Sequence, residues 1–173
     1  MQKILQFIAL KKLTLEYIIL THYHSDHTAE CKKIKGLFPF SQVVSSMEDG
    51  KKLPVKPDIV VSDASKMKLG TVHLDFLLTP GHTPGGLCII VDNKAFLTGD
   101  TLFIGDCGRT DLPGGSLSQM FSTLHEKIMR LADDLIVYPG HDYGDKPFDS
   151  LGNQKHINKT LCAKSLKEFS MIP

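Results

Sequence analysis

The spacing of apolar residues changes along the chain, and each change marks an element. Ile4, Phe7 and Ile8, followed by Leu10 and Leu13, fall at roughly helical spacing and predict an N-terminal helix. Tyr17 to Leu20 is a short unbroken apolar run, the pattern of a buried strand, and it stops at the polar stretch Thr21-His22-Tyr23-His24-Ser25-Asp26-His27. A helix is expected from about His27 to Lys35, with Gly36 ending it, and Gln42 to Ser45 predicts another strand. The stretch from Glu48 to Asp58 contains Pro54 and Pro57 and reads as an exposed connection.

The middle of the chain is β-patterned. Val72, Leu74 and Phe76 alternate with His73 and Asp75, the period of a half-buried strand. Leu87–Val91 and Ala95–Thr98 flank Asp92-Asn93-Lys94, which suits a hairpin turn. A Gly-rich loop follows, and Ser116 with Gln119 then resembles a capping box. Leu117, Met120, Phe121, Leu124, Ile128 and Leu131 form one helical stripe behind it. Leu135 to Tyr138 predicts a last strand ending at Pro139-Gly140-His141, and the tail from about Ser150 is expected to be helical. Helices and strands mixed in this order, with short turns, predict an α/β layered domain. At 173 residues the chain is expected to be one domain spanning residues 1–173.

Composition narrows the function classes. A formal net charge of +1 offers no electrostatic reason to bind nucleic acid or an anionic membrane surface. No apolar run reaches the length of a membrane span, and the N-terminus is interrupted by Lys and Gln, unlike a signal peptide. Cys31, Cys88, Cys107 and Cys162 are scattered with no CxxC pair, which points to reduced thiols in a cytoplasmic protein.

The histidines change the picture most. His22, His24 and His27 sit within six residues with Asp26 among them; His82 and His141 each follow Pro-Gly; Asp100 follows Gly99 at the end of an apolar run. Each of these clusters falls just after an expected strand, where a rigid sheet presents loops along one edge. Imidazole and carboxylate are good zinc ligands and also suit iron. An HxH alternation lets two imidazoles turn toward one ion, the following Asp-His pair can face a second, and a carboxylate such as Asp100 has an oxygen for each. Two cations would lower the pKa of a shared water and supply hydroxide near neutral pH. His73, His125 and His156 lack such company and read as structural or exposed side chains.

THYHSDH, TPGHTPGG, LTGDTLF and YPGHDYG resemble the successive metal-binding motifs of the metallo-β-lactamase superfamily, in that family's order, over about Leu13 to Asn158. The resemblance implies an αββα sandwich with metals at one edge of its two sheets. It implies that His22, His24 and His82 hold one metal, that Asp26, His27 and His141 hold a second, and that Asp100 bridges. Only 21 residues precede His22, so the first strands of the N-terminal sheet are expected to be missing and the Tyr17–Leu20 edge open, a surface prone to self-association into a homo-oligomer.

DCGRTDLPGGS and LGNQKHIN most resemble two branches: glyoxalase II-like thioester hydrolases, including the hydroxyacylglutathione hydrolases, and persulfide dioxygenases, which use a single iron. For the iron, the resemblance implies His22, His82 and Asp100. The leading expectation is a hydrolase with two zinc ions, Asp26 and Asp100 orienting the hydroxide that attacks a small-molecule thioester. A persulfide dioxygenase is the alternative, and a truncated, non-catalytic metal-binding remnant a further one. Arg109 is expected near a substrate carboxylate, and Tyr143 is expected to donate a hydrogen bond to substrate. The same motifs point away from β-lactam hydrolysis.

Overall fold

Apolar runs of the first half and alternating strands of the second half segregate into two sheets. In the computed structural model, which describes residues 2–172, β1 (Tyr17–Ile19), β2 (Gln42–Ser46) and β3 (Ile59–Val61) form a parallel three-stranded sheet in that order. Parallel neighbours need crossovers. The first contains α2 (Ser25–Thr28) and α3 (Cys31–Leu37), and the second contains α4 (Met47–Gly50). The second sheet runs β4 (Lys66–Leu69), β5 (Val72–Leu78), β6 (Leu87–Val91), β7 (Ala95–Gly99), β8 (Ile136–Pro139) and β9 (Asp149–Ser150) in chain order. Its pairs are antiparallel except β7–β8, which are parallel. The β7–β8 crossover carries α5 (Leu117–Ser122), a π-helical segment over Thr123–Lys127 and a 3-10 turn over Ile128–Arg130.

The period of two along the strands sorts side chains into layers. Leu74, Phe76, Leu87 and Ile89 meet Val44 and Val61 between the sheets. Cys88, Phe96 and Val137 point the other way, onto Met120, Leu124, Ile128, Leu151, Leu161 and Phe169. On the outer side of the small sheet, Ile18, Leu20 and Val43 pack with Cys31 and Ile34 of α3. The order of layers is helix, sheet, sheet, helix, as expected.

The small sheet covers only part of the large one. β1 is its edge strand, and beyond it Leu97 of β7 and Tyr138 of β8 are 37% and 40% exposed. The helix α1 (Gln2–Lys11) forms as its periodicity predicts, yet it has no buried residue; Ile4, Phe7, Leu10 and the following Leu13 all stand in solvent.

Several local expectations are corrected. The 27–35 helix starts earlier and is two helices, broken at Ala29–Glu30, and α3 runs through Gly36 to Leu37. The stripe after Ser116 is one regular α-helix only as far as Ser122, and its buried members Met120, Leu124 and Ile128 lie four residues apart across the wider π-helical turn. The 48–58 connection is not exposed throughout: Ser46 Oγ accepts the Asp49 N–H, α4 forms, and Asp49 is fully buried. At the β6–β7 hairpin, Asp92 and Asn93 both take positive φ, 49° and 53°, the primed turn that matches strand twist. Among the described residues no helix is long and apolar enough to cross a membrane.

Candidate metal centre

Four loops converge where strands end. Thr21–His27 leaves β1 and turns into α2, so His22 and His24 precede the helix while Asp26 and His27 lie on it. His82 lies in the β5–β6 loop, Asp100 follows β7, and His141 follows β8. The two sheets are tied here by Leu87 N–H donating to Thr21 O at 2.8 Å. Gly140 also has to be small, since a Cβ there would run into an Asp100 carboxylate oxygen and lie 3.0 Å from the His27 ring.

All seven side chains expected at the centre are brought together. His22, His24 and His82 place donor atoms within 4.8 Å of one another, and so do Asp26, His27 and His141. His24 Nδ1 lies 2.8 Å from His82 Nε2, and His27 Nε2 lies 3.1 Å from His141 Nε2. Asp100 stands between the groups: Oδ2 is 3.6 Å from His82 Nε2, 4.0 Å from His22 Nε2 and 3.3 Å from His141 Nε2, and Oδ1 is 3.3 Å from His27 Nε2. Asp26 Oδ2 is 3.3 Å from His141 Nε2. His73, His125 and His156 join no donor group among the described residues.

Electrostatics and hydrogen bonding favour a cation in this cluster. His22 Nε2 and Asp100 Oδ1 are buried with no hydrogen-bond partner among the described residues, which is costly unless something else satisfies them. Burial, followed by the crowding of His27, His82, His24 and His141, pushes the His22 imidazole down to about 2, so it stays neutral with a lone pair to offer. Burial, together with His82, also lowers His24. His82 Nδ1 faces the Arg109 carbonyl at 2.7 Å and must be its protonated nitrogen, leaving the Nε2 lone pair toward the cluster. A neutral His22 imidazole, with further imidazoles beside an unsatisfied carboxylate, fits a zinc or iron ion.

Beside the cluster is a cavity of about 520 Å³, lined by His24, Asp26, His82, Asp100 and His141 together with Phe103, Ile104, Arg109 and Tyr143. That volume lies in the range of small-molecule sites. Tyr143 stacks on His141 with ring centroids 4.7 Å apart and planes 3° from parallel, and it is 70% exposed. The Arg109 guanidinium is held at the rim by a bidentate pair with Asp111, both bonds 2.7 Å. In this structure its backbone carbonyl, not its guanidinium, braces a histidine of the cluster.

Sequence reasoning missed Asp49. Its carboxylate accepts from Tyr23 N (3.2 Å), Thr83 Oγ1 (2.7 Å) and Gly85 N (2.7 Å), so it touches both histidine loops. Burial pushes this carboxyl up and these donors pull it back, with burial prevailing. The spacing Ser46-x-x-Asp49 was the available signal, because a capping serine at that distance announces a helical turn.

This arrangement is that of a metal-binding site on an αββα scaffold, and comparison with known proteins identifies the family. The chain belongs to the metallo-β-lactamase superfamily, whose family model matches residues 1–141. It is 33% identical over 161 residues to the mitochondrial persulfide dioxygenase ETHE1 of Homo sapiens, covering 92% of this chain and 61% of that protein. It is 37% identical over 139 residues to a hydroxyacylglutathione hydrolase of Francisella tularensis subsp. novicida, covering 80% of this chain and 54% of that protein. The crystal structure of ETHE1 from Myxococcus xanthus superimposes with a TM-score of 0.87 at 29% identity, covering 99% of this chain and 76% of that one. The chain thus spans less than two thirds of the length of these two curated relatives.

Proposed function

We propose that the chain is a metal-dependent hydrolase of glyoxalase II type, cleaving a small thioester of the hydroxyacylglutathione class. The observation that supports this reading is that Asp26, His27 and His141 meet beside His22, His24 and His82, with Asp100 reaching both, a set with room for two ions; the resemblance implies that persulfide dioxygenases keep the same residues, so metal identity separates the two activities. In this reading the seven residues hold two ions of the zinc type, which supply Lewis acidity and a water acidified toward neutral pH. The chain's own residues arrange the rest. Asp100 keeps the two donor groups in register, and Asp26, 57% exposed in the cavity wall, orients the nucleophile and accepts its proton. A thiolate leaves readily, so no dedicated acid is required.

Arg109 at the rim binds a substrate carboxylate in exchange for Asp111, and the exposed Tyr143 donates a hydrogen bond to substrate. Cys31, Cys88, Cys107 and Cys162 are all free thiols, which suits a reducing compartment such as the cytoplasm. The test is metal analysis of the purified chain followed by assay with a hydroxyacylglutathione thioester. About two zinc ions per chain and turnover that a chelator abolishes are expected; full metal content without thioester turnover would refute the reading.

A second reading, persulfide dioxygenase with one iron, is favoured by the match to human ETHE1 over 92% of the chain. His22, His82 and Asp100 would hold that iron. Oxygen uptake with glutathione persulfide by the iron-loaded chain, and no thioester cleavage by the zinc-loaded chain, would select it.

A further inference from the structure

Two loops that belong to different sheets carry His22, His24 and His82. Thr21–His27 follows β1 of the small sheet, and the loop holding His82 connects β5 and β6 of the large one. Their separation sets whether the three imidazoles meet. Asp49, on α4 just after β2, lies buried between them.

Its bonds fall on the residues next to the histidines. Tyr23 N, between His22 and His24, donates to Oδ2; Thr83 Oγ1, directly after His82, donates to the same oxygen; Gly85 N donates to Oδ1. The approach is closed to side chains, because a Cβ at Gly85 would come 2.7 Å from Asp49 Oδ1. Three donors on two oxygens suit a carboxylate. An asparagine would turn its NH₂ against at least one of them. None of these bonds touches α2 beyond His24 or the β8 end, where Asp26, His27 and His141 lie.

We propose that Asp49 is a positioning residue that fixes the spacing of the two histidine loops, and so sets metal affinity in the His22–His24–His82 group while leaving the Asp26–His27–His141 group unaffected. The inference rests on the metal-binding reading above, and its test separates the two. Zinc affinity and stoichiometry would be measured by competition with a chromophoric chelator and by native mass spectrometry. The proteins are the wild-type chain, Asp49→Asn, Thr83→Val, Asp26→Ala and the double variant Asp26→Ala/Asp49→Asn. Val137→Ala, a core change on the far face of the large sheet, controls for lost stability.

For Asp49→Asn, one zinc equivalent should weaken about 10- to 100-fold, the usual cost of removing a group that orients ligands, and the other should stay within about threefold. Thr83→Val should weaken the same equivalent about three- to tenfold, the size of one hydrogen bond, and decides the matter if Asp49→Asn does not fold. In the Asp26→Ala background the remaining equivalent should be the one Asp49→Asn weakens. Val137→Ala should lower the Tm with affinities unchanged. Wild-type affinity in Asp49→Asn, equal weakening of both equivalents, or the same weakening in Val137→Ala would overturn the inference alone. A wild-type chain that takes up no zinc overturns the metal reading and the inference with it.

Discussion

The metal edge and the β1–α1 side are built on the same layers but satisfied to different degrees. At the metal edge, side chains from four loops converge, Asp49 ties the backbones of two of those loops at Tyr23 and Gly85, and the Arg109 carbonyl braces the His82 ring. At the other side, β1 is an edge with no further strand paired to it among the described residues, and Ile4, Phe7, Leu10 and Leu13 are all more than half exposed. The difference separates two kinds of information. Ligand chemistry demands particular residue types at short range, so it is written in compact motifs. Cover for an apolar face can come from anywhere, so nothing local writes it.

The largest effect should follow from the side chain that joins the two donor groups. Asp100→Ala removes the oxygens that stand between them, so metal content and kcat should both fall, by more than the roughly 100-fold upper cost of an outer-sphere change. Arg109→Ala removes only a rim cation and should raise KM about tenfold with kcat little changed. Steady-state kinetics with metal analysis on both variants checks this. Equal kcat losses with full metal retained would contradict the assigned roles.

Stability should divide the same two regions. Phe76 is fully buried between the sheets, and Phe76→Ala should cost about 3–5 kcal/mol by denaturant unfolding. Phe7 on α1 is 56% exposed, and Phe7→Ala should change the stability of the monomer by no more than about 0.5 kcal/mol. Comparable losses would mean that α1 packs on the body in solution.

The open side should also make the chain associate with a second copy. An unpaired strand edge beside exposed apolar side chains favours pairing. Light scattering should show mass rising with concentration, and Phe7→Lys with Leu10→Lys should reduce it. A monomer at all concentrations would show that the edge is closed some other way.

The smallest effect concerns acid. Partial burial works to raise the Asp149 carboxyl, but hydrogen bonds from Asn153 and Gln154 and the Lys146 ammonium outweigh it and hold the carboxyl below its ordinary range. Its folded-state pKa is depressed, so its stabilisation is present above the unfolded value and is lost as pH falls through the folded one. The stability gap between wild type and Asp149→Asn should be constant near neutral pH and should narrow below about pH 4, the range of an unfolded Asp. A gap that is unchanged down to acid unfolding would remove this role.

How much of this was legible follows from range. His22, His24, Asp26, His27, His82, Asp100 and His141 could be picked out because each sits in a short polar motif after an apolar run. The mix of helices and strands followed from the switch between helical and alternating periods, while the helix, sheet, sheet, helix order was implied by the family resemblance. Asp49 was not legible in the same way. Among Lys and Pro residues a carboxylate reads as solvated, and only the tertiary approach of Tyr23, Thr83 and Gly85 buries it. β4 was missed because its alternation is only four residues long, Lys66 and Lys68 against Met67 and Leu69, on an exposed edge. The π-helical turn was missed because a spacing of four residues also fits an α-helix.

In the hydrolase reading, one cluster holds two ions for thioester hydrolysis. The most direct measurement is elemental analysis of the purified chain beside that of Asp26→Ala, with both assayed for thioester cleavage and for persulfide-dependent oxygen uptake. About two zinc-type ions are expected in the wild type, one in Asp26→Ala, and thioester turnover that falls with the lost ion. A single iron in both proteins, with oxygen uptake and no thioester cleavage, would contradict that reading.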